Sequence, residues 1–202
     1  MDAPNIPKPL YLYLRPFESD GRIFVNNPRK AAWWNWMLIT YQASTPHSVN
    51  LEELLLRVVE CHGLLIAIGR QTGLVGGGKV VASEDDWKNY FTALAVKAVC
   101  IFSVPSLNES TLWELKWLAD KRLFERVLMI FTELHFDESN VSFRIEPLSN
   151  RLREIGWLLP TISRREALVS FDKEGRVSEH IKAGGLTKKQ IESIALSIAR
   201  TF

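Results

Sequence analysis

Short apolar runs of strand length, separated by segments with helical periodicity, constrain the fold of this chain more than any other feature. Four runs occur in order, at residues 10–14, 64–68, 98–104 and 127–131. Amphipathic segments of about a dozen residues lie between several of them. Buried strands that alternate with helices are typical of a parallel sheet covered on both faces. The sequence therefore predicts an α/β core.

Capping signals place the helices of this core. Asn50 is a good N-cap for a helix whose apolar residues run from Leu51 to Val59. Ser83 is expected to cap a second helix, and a third is expected to end near Arg122.

The C-terminal part of the chain has a different pattern. Residues 135–150 are polar and show no sustained period, and residues 157–159 suggest a short edge strand. Residues 167–171 and 176–180 flank a turn of hairpin composition. Thr187 and Gln190 form a capping box ahead of a terminal amphipathic helix. We expect a single domain over 1–202, with a core at 10–132 and a C-terminal extension at 133–202.

Composition narrows the class of protein. The chain has 202 residues, 47% of them hydrophobic, and a net charge of +2. Its basic residues are interspersed with acidic ones, so a nucleic-acid partner is not expected. The first nine residues have no apolar core, which argues against a secretory signal. Cys61 and Cys100 lie in apolar contexts and are expected to be buried free thiols in a reducing, cytoplasmic compartment.

The Trp-rich run at residues 31–41 is too short to span a bilayer, so no transmembrane segment is expected. It suits packing against the core or a partner subunit, or an interfacial aromatic anchor.

Several site types are disfavoured by the sequence. The four histidines are far apart and have no second ligand at metal-binding spacing, so no zinc site is expected. The glycine-rich segment 69–78 leads into a Gly-x-x-x-x-Gly-Lys pattern, but the next residue is Val80 where a phosphate loop needs a hydroxyl. A mobile loop beside a ligand cleft fits this segment better. No Gly-x-Ser-x-Gly elbow occurs.

Two polar clusters follow predicted strands. The first is residues 15–20, in which Arg15 would meet a phosphate, Phe17 would stack on a ring and Asp20 would bind a ribose or base edge. The second is residues 103–114. Ligands of open α/β sheets bind at the carboxyl ends of strands, so the two loops are expected to flank one crevice. The alternative is that Arg15 and Asp20 pair with each other or cap a helix.

Glu114 ends the second cluster and also has two interpretations. Thr111-x-x-Glu114 matches a capping box, which explains the spacing completely. The other interpretation is a chemically active carboxylate beside Trp113, with an apolar neighbourhood that raises its pKa. Spacing alone does not separate them.

The motif residues resemble a divergent Toll/interleukin-1 receptor (TIR) domain of the bacterial kind. In that family an opening strand leads into an aromatic and acidic loop, as residues 12–20 do here. A later strand ends in Ser and Pro, and a group of Ser, Trp and Glu-Leu begins the next helix, as in 102–105 and 110–115. The resemblance covers about residues 10–132. The segment 108–114 is also similar to the Asp-x-Gly-Thr-x-x-Glu motif of nucleoside deoxyribosyltransferases, with Asn108 and Ser110 in place of Asp and Gly.

The resemblance implies a flavodoxin-like, doubly wound α/β fold with a mainly parallel sheet and helices on both faces, plus a C-terminal β-hairpin and helix. It implies cleavage of the nicotinamide–ribose bond of NAD+, or cyclisation or ribosyl transfer from the same intermediate. NAD+ would be the substrate, with no other cofactor and no metal. Glu114 would be catalytic, and the substrate-binding residues would be Arg15, Phe17, Asp20, Arg70, Ser103, Ser110 and Trp113.

The resemblance also implies a homo-oligomer that becomes active on self-assembly, with a possible partner protein in a bacterial defence system. Two non-enzymatic alternatives stay open. One is a TIR-like interaction module that oligomerises through its glycine-rich loop and Trp-rich segment. The other is a sensor that binds a nucleotide derivative in the same crevice without cleaving it.

Overall fold

Five parallel strands and a C-terminal antiparallel pair form one sheet in the computed structural model of the protein. The structure describes residues 8–16, 23–26, 48–69, 78–81, 83, 86–137, 139, 141–162, 167–182 and 186–202. Its strands are β1 Leu10–Leu14, β2 Phe24–Asn26, β3 Ser48–Asn50, β4 Leu64–Gly69, β5 Gly78–Val81, β6 Cys100–Ser103, β7 Val127–Phe131, β8 Ala167–Phe171 and β9 Val177–Lys182. Its helices are α1 Leu51–Val59, α2 Trp87–Lys97, α3 Glu109–Asp120, α4 Ile145–Glu154 and α5 Lys188–Ala199.

The order of the strands places a crevice beside β1. The sheet runs β5-β4-β1-β6-β7-β8-β9, while β2 and β3 form a separate antiparallel pair. The chain passes from β1 to β4 on one side and later to β6 on the other, both of them parallel to β1. The strand order therefore reverses between β1 and β6, which is where doubly wound sheets bind ligands at the carboxyl edge. The expected flavodoxin-like fold is confirmed.

Alternation along β1 explains why helices cover both faces of the sheet. Tyr11 and Tyr13 point to one face, where they join a core completed by α1 and α5. Leu12 and Leu14 point to the other face and pack with α2, α3 and α4. Successive strand residues face opposite sides, so five apolar residues in a row require two separate cores.

The C-terminal residues extend the same sheet. β8 pairs antiparallel with β7, and β9 pairs antiparallel with β8. Gly175 in the connecting turn has a φ of +76°, and a Cβ there would lie 2.5 Å from the carbonyl oxygen of Gly156. The predicted capping box of α5 is confirmed, since Thr187 N–H donates to Gln190 Oε1 at 3.0 Å and Gln190 N–H to Thr187 Oγ1 at 3.3 Å.

Some local expectations were wrong. α2 begins at Trp87 with Asp86 in the N-cap position, three residues beyond the expected cap Ser83, whose Oγ accepts from the Asp86 N–H at 3.1 Å. The segment after β7 contains α4, whose Leu148 and Leu152 are buried one turn apart. Cys61 is exposed in the turn after α1, although Cys100 is a buried free thiol in β6 as expected.

Other expectations are partly met or untested. Of residues 157–159, Leu158 alone forms a bridge, to Arg176. The Trp-rich segment 31–41 and residues 70–77 of the glycine-rich segment lie outside the described residues. Among the helices that the structure describes, none combines the length and apolar composition needed to cross a bilayer.

Candidate functional site at the carboxyl end of β6

The connection from β6 to α3 places polar side chains at the carboxyl edge of the sheet, beside β1. β6 ends at Ser103, which is aligned with Leu14 of β1 on one side and Met129 of β7 on the other. Ile101 belongs to the core under α2 and α3, whereas Cys100 and Phe102 belong to the opposite core. By strand alternation Ser103 therefore faces α3.

Asn108, and not Thr111, caps α3. The Asn108 side chain accepts from the Ser110 N–H at 3.0 Å, and the helix runs from Glu109. Thr111 is already inside the first turn, so Glu114 lies in the second turn. Thr111 Oγ1 is buried and forms no hydrogen bond with the residues that the structure describes. The capping-box interpretation of Glu114 is therefore wrong.

Glu114 carries a buried carboxyl on the second turn of α3. Its residue is 4% exposed, and no hydrogen bond or ion pair joins its side chain to the described part of the chain. Burial raises the pKa of this carboxyl from its usual 4.5 to about 8. The carboxyl is therefore mostly protonated at neutral pH in the free protein. A cation or a hydroxyl-rich ligand bound beside it would favour the charged form.

Ser103, Thr111 and Glu114, a cluster defined by its place on the α3 side of β6, have unused hydrogen-bonding capacity. Ser103 Oγ, like Thr111 Oγ1, is buried and has no hydrogen bond within the described ranges. Thr111 and Glu114 are three residues apart on the buried face of α3, so their side chains are neighbours. A buried polar group left unpaired costs about 1–3 kcal/mol. A ligand that supplied hydrogen bonds to this cluster would recover that free energy.

Arg15 lies on the other side of the sheet edge and is held by α1. Its Nη1 is 2.9 Å from Glu52 Oε2, and its guanidinium carbon lies 5.2 Å from the centre of the Tyr13 ring. Both charged side chains are largely buried. Arg15 is therefore a paired residue, and one of its partners is Glu52. Asp20, the partner considered from the sequence, lies outside the described residues, as do Phe17 and Arg70.

The remaining residues proposed from the sequence have structural contacts. Trp113 meets the rings of Trp87 and Phe91 edge-on, at centroid distances of 5.1 and 5.8 Å. It therefore packs between α3 and α2. Ser110 Oγ donates to Asn108 Oδ1 at 2.7 Å and belongs to the helix cap.

Sequence reasoning missed two residues of this region. Thr111 was considered only as a cap, although its spacing from Glu114 also places both on one helix face. His135 was considered only as a metal ligand, and the structure places it at the base of the β6–α3 loop, where its Nε2 is 2.9 Å from the Pro105 carbonyl oxygen. No group of three or more potential metal ligands occurs in the described ranges.

Comparison of the chain with protein-family models, curated proteins and solved structures found no match.

Proposed function

We propose that the protein cleaves the nicotinamide–ribose bond of NAD+, with Glu114 as the catalytic carboxylate. The observation that carries this proposal is the buried Glu114 carboxyl, which has no partner within the described ranges and lies on α3, the helix that follows β6, where the strand order reverses beside β1. The choice of NAD+ as the substrate comes from the resemblance of residues 10–132 to TIR domains. A buried polar cluster at this edge of a doubly wound sheet is the expected place for a nucleotide.

The chemistry requires a negative charge beside the ribose. As the bond between C1′ and the pyridinium nitrogen breaks, its electron pair leaves with neutral nicotinamide and positive charge develops on the ribose. Ionised Glu114 would stabilise this charge, as carboxylates do in glycosidases. Water then bonds to C1′ and releases a proton. A ribose or nucleotide hydroxyl in place of water gives transfer or cyclisation.

The raised pKa of Glu114 suits a cationic substrate. Placing the positively charged nicotinamide ring near this carboxyl favours its ionised form, so that binding of the substrate prepares the catalytic charge. Ser103 and Thr111 would hydrogen-bond the ribose hydroxyls. Phe17, Asp20 and Arg70 would complete the crevice from the loops that follow β1 and β4. NAD+ is the substrate, so no additional cofactor is part of the proposal.

The wider biological role in this proposal comes from the resemblance. It consists of activation by self-assembly and a defence function with a partner protein, while the proposed cytoplasmic location rests on the free thiols. A second candidate function is a nucleotide-derivative sensor, because unpaired buried polar groups suit a tightly held ligand as well as a substrate.

The test is to incubate the purified protein with NAD+ at low and high protein concentration and to quantify free nicotinamide. We expect turnover by the wild type, loss of at least about 100-fold in Glu114→Gln, and unchanged turnover in Glu109→Gln. Glu109 is the matched control, because it lies on the same helix but is exposed. Absence of nicotinamide at every concentration would contradict the enzyme proposal. Thermal stabilisation by NAD+ without product would favour the sensor.

A further inference from the structure

His135 connects the loops that follow two neighbouring strands. It lies in the 3-10 helix Glu133–Phe136, directly after β7, and is 1% exposed. Its Nδ1 accepts from the Thr132 N–H at 2.9 Å. Its Nε2 lies 2.9 Å from the carbonyl oxygen of Pro105, in the loop after β6. The ring thus joins the carboxyl ends of β6 and β7.

The hydrogen-bond pattern assigns the tautomer of the ring. Since Nδ1 receives the Thr132 N–H, the ring proton is on Nε2, which donates to the Pro105 carbonyl. Burial lowers the pKa of His135 to about 4, so the imidazole is neutral at physiological pH. Both nitrogens are therefore used by backbone groups. A neutral ring with both nitrogens engaged serves neither as a metal ligand nor as a proton donor to a substrate.

The surrounding aromatic rings hold the imidazole in place. Phe131 and Phe143 meet it edge-on, at centroid distances of 5.0 and 5.2 Å. Phe143 belongs to a second 3-10 helix, Val141–Phe143, whose Ser142 carbonyl accepts from the Leu107 N–H at 2.8 Å. His135 and Ser142 therefore hold the β6–α3 loop at two points, Pro105 and Leu107.

These contacts continue from the loop to the helix that carries Glu114. The buried hydroxyl of Ser106 accepts from the Asn108 N–H at 3.2 Å. Asn108 in turn caps α3 through the Ser110 N–H. The position of α3 relative to β6 thus depends on a short loop that is held at Val104, whose N–H donates to the Leu14 carbonyl at 3.0 Å, and then at Pro105 and Leu107. A displacement of about 1 Å in a catalytic group can cost about 100-fold in rate.

We propose that His135 is a positioning residue, which fixes the β6–α3 loop through its two backbone hydrogen bonds and so places Glu114 for reaction. The proposal rests on the proposed function, since it concerns the same site. His135 touches neither the substrate nor the reacting atoms in this assignment. Its action passes through Pro105 and the helix cap.

Two substitutions separate positioning from simple packing. His135→Phe keeps an aromatic ring between Phe131 and Phe143 but removes both hydrogen bonds. His135→Gln loses the ring contacts but presents one acceptor and one donor from a single planar group, as the neutral imidazole does. If His135 positions the loop through hydrogen bonds, His135→Gln should keep the β6–α3 loop closer to its wild-type position than His135→Phe does. A packing role predicts the reverse order.

The experiment uses the full chain and two readouts, amide hydrogen exchange over residues 104–110 and steady-state cleavage of NAD+. In His135→Phe we expect exchange at Leu107 and Asn108 to be about tenfold faster than in the wild type. We expect kcat to fall about 100-fold while KM changes by less than about threefold. His135→Gln should lie closer to the wild type in both readouts. Urea unfolding establishes that each variant is folded under the assay conditions.

The outcomes distinguish this proposal from the proposed function. In one outcome, neither the wild type nor the two variants release nicotinamide, while amide exchange in the β6–α3 loop becomes faster from wild type to His135→Gln to His135→Phe. In that case the enzyme proposal fails and the loop-fixing role of His135 stands. If the wild type cleaves NAD+ and His135→Phe equals or exceeds His135→Gln in both kcat and loop protection, the positioning proposal is overturned. A 15N spectrum showing the wild-type ring charged or protonated on Nδ1 at pH 7 would also overturn it.

Discussion

Replacing Glu114 with Gln should change how the stability of the protein depends on pH. Burial raises the pKa of the Glu114 carboxyl from its usual 4.5 to about 8. Between these two pH values the folded chain holds about one more proton than the unfolded chain. The free energy of unfolding of the wild type therefore falls as pH rises, by about 1.4 kcal/mol per pH unit from this group.

The size of the effect follows from the width of this pH window. From pH 4.5 to above pH 8, ionisation of Glu114 removes about 5 kcal/mol of stability, and about 3 kcal/mol of it is already lost at pH 7. Gln has nearly the shape of protonated Glu but does not ionise. We therefore expect the two proteins to differ by no more than about 1 kcal/mol near pH 4.5. At pH 9 the variant should be more stable by about 5 kcal/mol.

Because His135 also titrates with a shifted pKa, the pH dependence of stability has to be compared between the wild type and Glu114→Gln. Burial lowers the pKa of its imidazole from the usual 6.5 to about 4. Between these values the unfolded chain holds the extra proton, so this group removes about 3 kcal/mol of stability as pH falls through the window. Its slope opposes that of Glu114 between pH 4.5 and 6.5. The difference between wild type and Glu114→Gln cancels the histidine contribution and isolates the carboxyl.

Urea unfolding followed by tryptophan fluorescence at pH 5, 6, 7, 8 and 9 measures this difference. If the wild type and the variant have equal m-values, the difference between their urea midpoints reports a difference in the free energy of unfolding. Glu109→Gln is the control, because it removes an exposed carboxyl from the same helix, and its difference from the wild type should not change with pH. Parallel curves for wild type and Glu114→Gln from pH 5 to 9 would refute the reasoning, since they would mean that Glu114 is already ionised in the fold.

Three further predictions concern the ionisation of Glu114 in catalysis, the ion pair of Arg15 with Glu52, and the two cysteines. If the protein cleaves NAD+, kcat/KM should rise with pH through an apparent pKa near 8, because the free enzyme must ionise Glu114; a pH–rate profile that falls over pH 6–8 would contradict this. Glu52→Gln should destabilise the fold by about 3 kcal/mol in urea titrations, because it removes the carboxylate that faces the buried charge of Arg15, whereas a change under about 0.5 kcal/mol would mean that this ion pair contributes little to stability. A thiol reagent should modify exposed Cys61 rapidly and buried Cys100 only on unfolding, and equal rates for both would contradict the structure.

Local sequence signals predicted most of the fold. The apolar runs located β1, β4, β6 and β7 because a strand buried on both faces needs a side chain of the same character at every position. Asn50 and the Thr187–Gln190 pair located two helix starts correctly, because a cap acts within three residues of itself. The expected cap of α2 at Ser83 was wrong, since the helix begins at Trp87 with Asp86 in the N-cap position.

The candidate site was only half predictable. The sequence places Glu114 just after a buried strand, and chain order alone puts that position at the carboxyl edge of a parallel sheet. It could not show whether Glu114 belongs to a capping box with Thr111, because the spacing Thr111-x-x-Glu114 fits that role as well as a chemical one. The choice of Asn108 moves Glu114 into the second turn, where it is buried without a partner.

The sequence by itself determined the alternation of strands and helices, two of the helix caps, and the edge of the sheet where Glu114 lies. Those features depend on residues close together in the chain. Only the tertiary structure paired Arg15 with Glu52, packed Trp113 against α2, and joined His135 to Pro105 across 30 residues. Such contacts depend on how the elements pack, because the two partners meet only after the sheet has formed.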